Sequence, residues 1–205
     1  MRLAGEIAPL LCYPGPDWEA VREEALRAAG RERGPAAAAV RGFCEAVAGV
    51  QRDELERRYV ETFDFDPRAS LYLTYHLYGD QRRRGEALVA LKRRYAEAGL
   101  ELTPGELPDF LPAMLEFAAL APRGAGARLL GELREPLELV RARLAERERP
   151  HALLLEAVAR RLPRLTSRQQ ARVRELAEAG PPTELVGLDP PAGAAAVPMM
   201  PGAPR

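Results

Sequence analysis

Little in this 205-residue chain points to covalent or metal chemistry. It has two cysteines, Cys12 and Cys44, and two histidines, His76 and His151. That set makes no tetrahedral structural zinc site without carboxylates, and no pair stands at ligand spacing. Each cysteine lies in an apolar helical context, where a thiol packs as a small hydrophobe. Nothing supports a disulfide between them, and a reduced, cytoplasmic setting fits better. β-Branched residues are scarce and never alternate along a run, so no strand is expected. Long apolar runs are missing too, since nothing reaches the ~18 uncharged residues of a membrane span. The first residues, with Glu6 and Pro9, lack the apolar run and cleavage site of a signal peptide. The expectation is a soluble, cytoplasmic protein without stable membrane insertion.

Excess charge of either sign is also absent: 30 basic residues meet 30 acidic ones. A balanced chain has no global attraction for nucleic acid or an anionic membrane. All the bases but Lys92 are arginine, which fits a coding bias alongside abundant Ala, Gly and Pro. There is no Gly-x-Ser-x-Gly elbow, Walker loop or Rossmann fingerprint, and Gly124-Ala-Gly126 lacks the strand and third glycine it would need. Glu148 and His151 have the Glu-x-x-His spacing of a di-iron bundle, but Pro150 interrupts the helix and no second copy exists. No catalytic residue, metal site or cofactor is expected.

What is present is helical patterning. Leu3, Ile7, Leu10 and Leu11 follow i, i+4, i+7, i+8. Tyr13-Pro-Gly-Pro16 ends that helix, and Asp17 is placed to cap the next, with Trp18, Val21, Ala25 and Leu26. Over 36–49, Val40, Phe43, Cys44 and Val47 form one stripe. Asp53 opens a helix through Leu55, Tyr59 and Val60 into Phe63. Asp66-Pro67 is a turn. Ser70 is placed to cap a tyrosine helix closed by Gly79, and Asp80 to cap the next. The longest clear helix spans 81–98, with Leu88, Leu91 and Tyr95 inward, Arg82, Arg83, Arg84, Arg93 and Arg94 outward, and Gly99 as its stop. A linker over 100–107 leads to Pro108 and the most apolar helix, carrying Phe110, Leu111, Met114, Leu115, Phe117 and Leu120. Only Asp109 and Glu116 interrupt it. A long helix over 128–148 holds Pro136 as a kink or break. A short one follows Pro150, and Ser167 caps a marginal last helix. From Gly180 the chain turns to Pro, Gly and Ala, which cannot bury enough apolar surface to order. The fold class is therefore all-α: a single helical-bundle domain over 1–179 with proline-rich joints, and a disordered tail over 180–205.

Aromatic and acidic residues concentrate in Tyr59-Val-Glu-Thr-Phe-Asp64 and the stretch over 65–80. Tyr72, Tyr75 and His76 stand at i, i+3 and i+4 and share a face if that stretch is helical. Glu61, Asp64 and Asp66 lie beside them. Such a mixture suits a surface that grips a peptide, with apolar bodies for area and polar tips for orientation. It also suits a packed hairpin with half-buried tyrosines, and spacing alone favours that plainer arrangement. Asp109 is either a first-turn acid stabilised by the helix dipole or a member of the same groove.

Seven segments, Leu10-Leu-Cys-Tyr-Pro14, Tyr59-Val-Glu-Thr-Phe-Asp64, Leu71-Tyr-Leu-Thr-Tyr75, Gly79-Asp-Gln-Arg-Arg-Arg-Gly85, Glu106-Leu-Pro-Asp-Phe-Leu111, Leu115-Glu-Phe117 and Leu153-Leu-Leu-Glu156, carry a further signal in their order and spacing. Together they resemble the cytoplasmic chaperones that assemble respiratory nitrate reductase, the NarJ type or delta subunit. The wider molybdoenzyme chaperone group shares a Glu-x-Pro-Asp-His-like signature; Glu106, Pro108 and Asp109 match it, while Phe110 stands where histidine is common. The resemblance implies an all-helical, non-catalytic protein without a cofactor of its own. It implies binding to the N-terminal segment of the apo alpha subunit while molybdenum cofactor is inserted, before membrane docking. The peptide-binding residues expected from it and from the aromatic patch are Tyr59, Glu61, Phe63, Asp64, Leu71, Tyr72, Tyr75, His76, Asp109, Leu111 and Leu115. Alternatives are a chaperone for another, twin-arginine-exported molybdoenzyme, a helical carboxylate-metal enzyme, or a plain helical scaffold.

Overall fold

Apolar spacing explains which faces meet. The computed structural model describes residues 3–122 and 124–182. The first four α-helices are α1 (Ala4–Leu10), α2 (Trp18–Gly30), α3 (Pro35–Ala46) and α4 (Arg52–Tyr59). α4 runs directly into a π-helical turn (Val60–Asp64), followed by a 3₁₀ turn (Pro67–Ala69). Then come the one-turn α5 (Tyr75–Tyr78), α6 (Arg82–Glu97) and α7 (Leu111–Leu120). The chain continues through α8 (Ala125–Glu132), α9 (Arg134–Glu146), α10 (His151–Ala159) and α11 (Ser167–Ala179). No β-strand forms among the described residues. The protein is all-α, as its patterning requires. The expected tail lies, from residue 183 onward, outside the described residues.

The two most apolar helices, α7 and α10, occupy the centre. α7 packs on α1 and α8, while α10 packs on α3 and α9. α2 bridges α1 and α3, and α11 closes over α9. The core includes Leu10, Leu11, Phe43, Leu111, Met114, Leu115, Leu130, Leu137 and Leu154. Gly126 permits a close crossing of α8 on α7, because a Cβ there would overlap the Ala118 backbone of α7.

Several prolines sit at the joints, although Pro9 lies inside α1. Pro35 is the first residue of α3, where its missing N–H costs nothing. Pro112, rather than Pro108, occupies the first turn of α7. The break expected near Pro136 falls at Leu133, between α8 and α9, and places Pro136 in the first turn of α9. The last helix is capped by Thr166 rather than Ser167, in a capping box with Gln169. The helix after Asp80 begins beyond Gln81, which is its N-cap.

One expectation fails in a way that matters for function. Ser70 caps no tyrosine helix, because residues 70–74 are not helical. Leu71 and Leu73 turn into the core, and the backbone pairs with 109–111 instead. Leu73 N–H donates to the Asp109 carbonyl at 3.0 Å, and Leu111 N–H donates to the Leu71 carbonyl at 2.9 Å. This short antiparallel bridge joins Tyr72 to Phe110. Period-two burial has displaced the helical period there.

Candidate functional site

The expected binding residues separate into two groups. Tyr59 and Phe63 are buried in an aromatic cluster, with ring centroids 4.8 Å apart, and Phe63 meets His151 at 5.0 Å. The Tyr59 hydroxyl donates to the Leu11 carbonyl at 3.2 Å, and burial raises its pKa. On the outside of the same segment, Glu61 and Asp64 are exposed. Glu61 lies 3.7 Å from Arg149. Asp66 turns away to Arg143 at 2.8 Å.

The second group gathers around Arg84. Its guanidinium lies over the rings of Tyr72 and Tyr75, at 6.0 and 5.7 Å. It also reaches Asp109 at 3.5 Å. Arg84 therefore points inward, against its expected place on the solvated face of α6. Asp109 is fully buried; its Oδ2 accepts from Thr74 N–H at 3.2 Å and from Thr74 Oγ1 at 2.5 Å. A carboxylate so placed ties the 71–74 segment to α6 and α7. His76 is also buried, and its Nε2 lies 2.8 Å from the Ser70 carbonyl. Burial lowers its pKa, so it is neutral near pH 7. Leu71, Leu111 and Leu115 belong to the core. Tyr72 and Tyr75 stay half-buried, but not on one helical face.

Asp109, Leu111 and Leu115 thus offer no surface to a peptide in this conformation. The surface nearest to them lies one layer outward. Tyr72 stacks on Phe110 at 5.0 Å and 30°. Phe110 in turn lines a cavity of about 470 Å³ between α7, the end of α6 and the 100–106 loop. Its apolar walls include Leu100, Leu102, Phe110, Phe117 and Leu120. Leu120 is 71% exposed at its edge. Tyr95 buttresses the floor by stacking on Phe117 at 4.6 Å, and its hydroxyl donates to the Pro108 carbonyl at 2.8 Å.

The charged residues lining this groove are Glu101, Glu106 and Glu116, with no basic side chain among them. None of the three has an arginine or lysine partner among the described residues, although many acids elsewhere pair within their own helix. The charges of Glu106 and Glu116 act on neighbours. Burial first, then Glu106, raises the Tyr72 pKa. The Cys12 thiol, at the same wall, is pushed up to about 11 by burial, then Glu116 and Glu106. It stays protonated at neutral pH and is no nucleophile. Among the described residues no group of three or more His, Cys, Asp or Glu side chains is placed to hold a metal ion. No helix among them is long and apolar enough to cross a membrane.

The sequence did carry signals for this groove. Glu106 belongs to the Glu-x-Pro-Asp segment, and Glu116 is a lone acid in an otherwise apolar helix. Glu101, in a loop without periodicity, carried none.

Comparison with known proteins places this geometry in context. Residues 31–156 match the family described as nitrate reductase delta subunit. A Bacillus subtilis protein named "Probable nitrate reductase molybdenum cofactor assembly chaperone NarJ" is 35% identical over 156 residues, covering 73% of this chain and 82% of that protein. The nitrate reductase molybdenum cofactor assembly chaperone NarJ of Escherichia coli K12 is 38% identical over 103 residues, 50% of this chain and 44% of that protein. A nitrate reductase-like protein NarX of Mycobacterium tuberculosis is 45% identical over 103 residues, 50% of this chain but only 16% of that much longer protein.

Proposed function

Since the chain belongs to the nitrate reductase delta subunit family, we propose that it is a non-catalytic chaperone in the molybdenum cofactor assembly of nitrate reductase. It acts in the cytoplasm and binds the N-terminal segment of the apo catalytic (alpha) subunit before membrane docking. Relatives named as assembly chaperones support the general role. The observation that carries the binding mode is the apolar groove with its three glutamates and no basic wall.

An amphipathic client segment with basic residues is the physical complement of that groove. Apolar side chains of the client would rest on Phe110, Phe117 and Leu120. Each well-buried anchor contributes roughly 1.5–3 kcal/mol. An exposed ion pair with Glu101, Glu106 or Glu116 contributes roughly 0–1 kcal/mol. Anchors therefore set affinity, and the acids set register and on-rate. Tyr72 acts through Phe110, which it holds by stacking. Tyr75, Arg84 and Asp109 support that arrangement from behind. The molybdenum cofactor belongs to the client, and the chaperone's work is to keep the client receptive.

The test is calorimetric titration of the chain with a peptide copied from the alpha subunit's N-terminus. Phe110→Ala and the double variant Glu106→Gln/Glu116→Gln should each bind about tenfold or more weakly, with unchanged circular dichroism. If both bind as tightly as the parent, the groove is not the client site. A twin-arginine signal peptide serves as competitor; tighter binding of that peptide would move the chaperone to an exported molybdoenzyme.

A further inference from the structure

Another cleft opens between α9 and α11 and shares no lining residue with the glutamate groove. It encloses about 340 Å³, and its apolar walls are Leu139 and Ala142 of α9 with Val173, Leu176 and Ala177 of α11. α11 packs chiefly on α9, and Leu176 is its one buried residue. Leu176 and Leu139 are both buried, yet they stand outside the contiguous core. They form a small satellite cluster, with unfilled apolar space beside it.

The rim of the cleft is basic. Arg68, Arg143 and Arg174 stand against Glu146 alone. Arg143 is taken by Asp66 and Glu146, each at 2.8 Å. Arg68 and Arg174 have no acidic partner among the described residues, although both face the cleft. The chain itself arrives at this rim. Gly180 and Pro181 belong to the lining. The Arg68 guanidinium lies beside Gly180, and Pro182 rests on Gly79, where a Cβ would overlap the Pro182 carbonyl. The described residues end there, at the edge of the cleft.

The next residues are Thr183-Glu-Leu-Val-Gly-Leu-Asp189. Leu185, Val186 and Leu188 are aliphatic, and Glu184 and Asp189, the only acidic side chains beyond Pro182, bracket them. We infer that residues 184–189 fold back as a strap into the α9–α11 cleft. Leu185, Val186 and Leu188 fill it between Leu139 and Val173, and Glu184 and Asp189 pair with Arg68 and Arg174. The walls run along α11 from Val173 to Pro181, about 12 Å. Residues 184–189 extend to about 20 Å, so the segment is long enough to double back along them. Its composition denies it a core of its own; α9 and α11 supply the missing apolar partner. Tethering selects this occupant. A segment joined within a few residues of its site has an effective concentration of about millimolar, so weak contacts suffice against an untethered competitor. The strap then holds α11, whose own apolar contact is small, onto the bundle.

The test uses the full chain, labelled on its Leu and Val methyl groups. We expect NOEs from Leu185, Val186 or Leu188 to Leu139, Val173 or Leu176. In a mixture of two differently labelled copies these contacts should stay within one chain. Amide exchange gives a second measure. Leu185→Asp/Leu188→Asp should speed exchange at 173–177 about tenfold, with unchanged circular dichroism. Glu184→Gln/Asp189→Asn should speed it about two- to fivefold. Lack of these NOEs, contacts found only between copies, or parental exchange in Leu185→Asp/Leu188→Asp overturns the inference. Contacts between copies would hand the cleft to the tail of a second molecule. None of these residues lines the glutamate groove, so titration with the client peptide is decided separately.

Discussion

At the scale of single residues, burial rather than pairing governs the histidines. His151 titrates at about 4 in the fold and near 6.5 in an unfolded chain. Its folded pKa is depressed, so the unfolded state takes up more protons between those values. The stability contributed by a neutral His151 is complete above pH 6.5 and is lost as the pH falls towards 4. The loss amounts to roughly 3 kcal/mol at most. His76, lowered by burial too, adds in the same direction. Urea midpoints measured from pH 7 to pH 4 should fall, and His151→Phe should flatten part of that fall. An equal drop in both proteins would remove His151 from the account. The residue scale is also where the sequence was least legible. Arg84 sits in a run of three arginines, and nothing local distinguishes the one that turns inward. Its target, Asp109, is 25 residues away. Only the fold brings them together, beside Thr74 from a third segment.

Elements were easier to read where one period rules. The stripes of α3 and α6 follow from spacing, since Val40, Phe43 and Cys44 are buried together, as are Leu91 and Tyr95. The failure over 70–74 is instructive because both periods were present. Tyr72, Tyr75 and His76 suggested a helix, while Leu71 and Leu73 alternated as in a strand. The alternation prevailed because partners for the backbone were available at 109–111. Helix crossings were not legible, as the α7–α8 contact illustrates. Gly126→Ala should raise helix propensity by up to about 1 kcal/mol. Its added Cβ meets Ala118 backbone, which cannot yield like a flexible side chain. Overpacking of about 1–3 kcal/mol should prevail. Thermal unfolding followed by circular dichroism should therefore show a lower midpoint; an equal or higher one would show that α7 and α8 separate freely.

For the whole molecule, zero net charge means that attraction to the proposed client would be local. The field comes from Glu101, Glu106 and Glu116 at one groove. Raising salt from about 0.05 to about 0.5 M should slow association with the basic client peptide several-fold while leaving dissociation nearly unchanged. Stopped-flow mixing measures both; a salt effect confined to dissociation would point to desolvated ion pairs instead. Composition foretold the helical class and the lack of strands among the described residues, and the seven matched segments foretold the family. The groove itself was not foretold, because its walls come from the end of α6, an aperiodic loop and one side of α7.

That loop has empty space on both flanks. The glutamate-lined groove borders one side, and a second hollow of about 610 Å³, reaching Leu88, Val89 and Lys92, borders the other. Between them the backbone is tethered chiefly where Tyr95 grasps Pro108 and where Leu100 N–H returns to the Tyr95 carbonyl. Leu100 and Leu102 also rest on the core, so the remainder of this slat, 103–106, is the part with room to shift sideways. Under the proposed function, clients of unequal girth would be accommodated by shifting these few residues of main chain, at little expense to the interior.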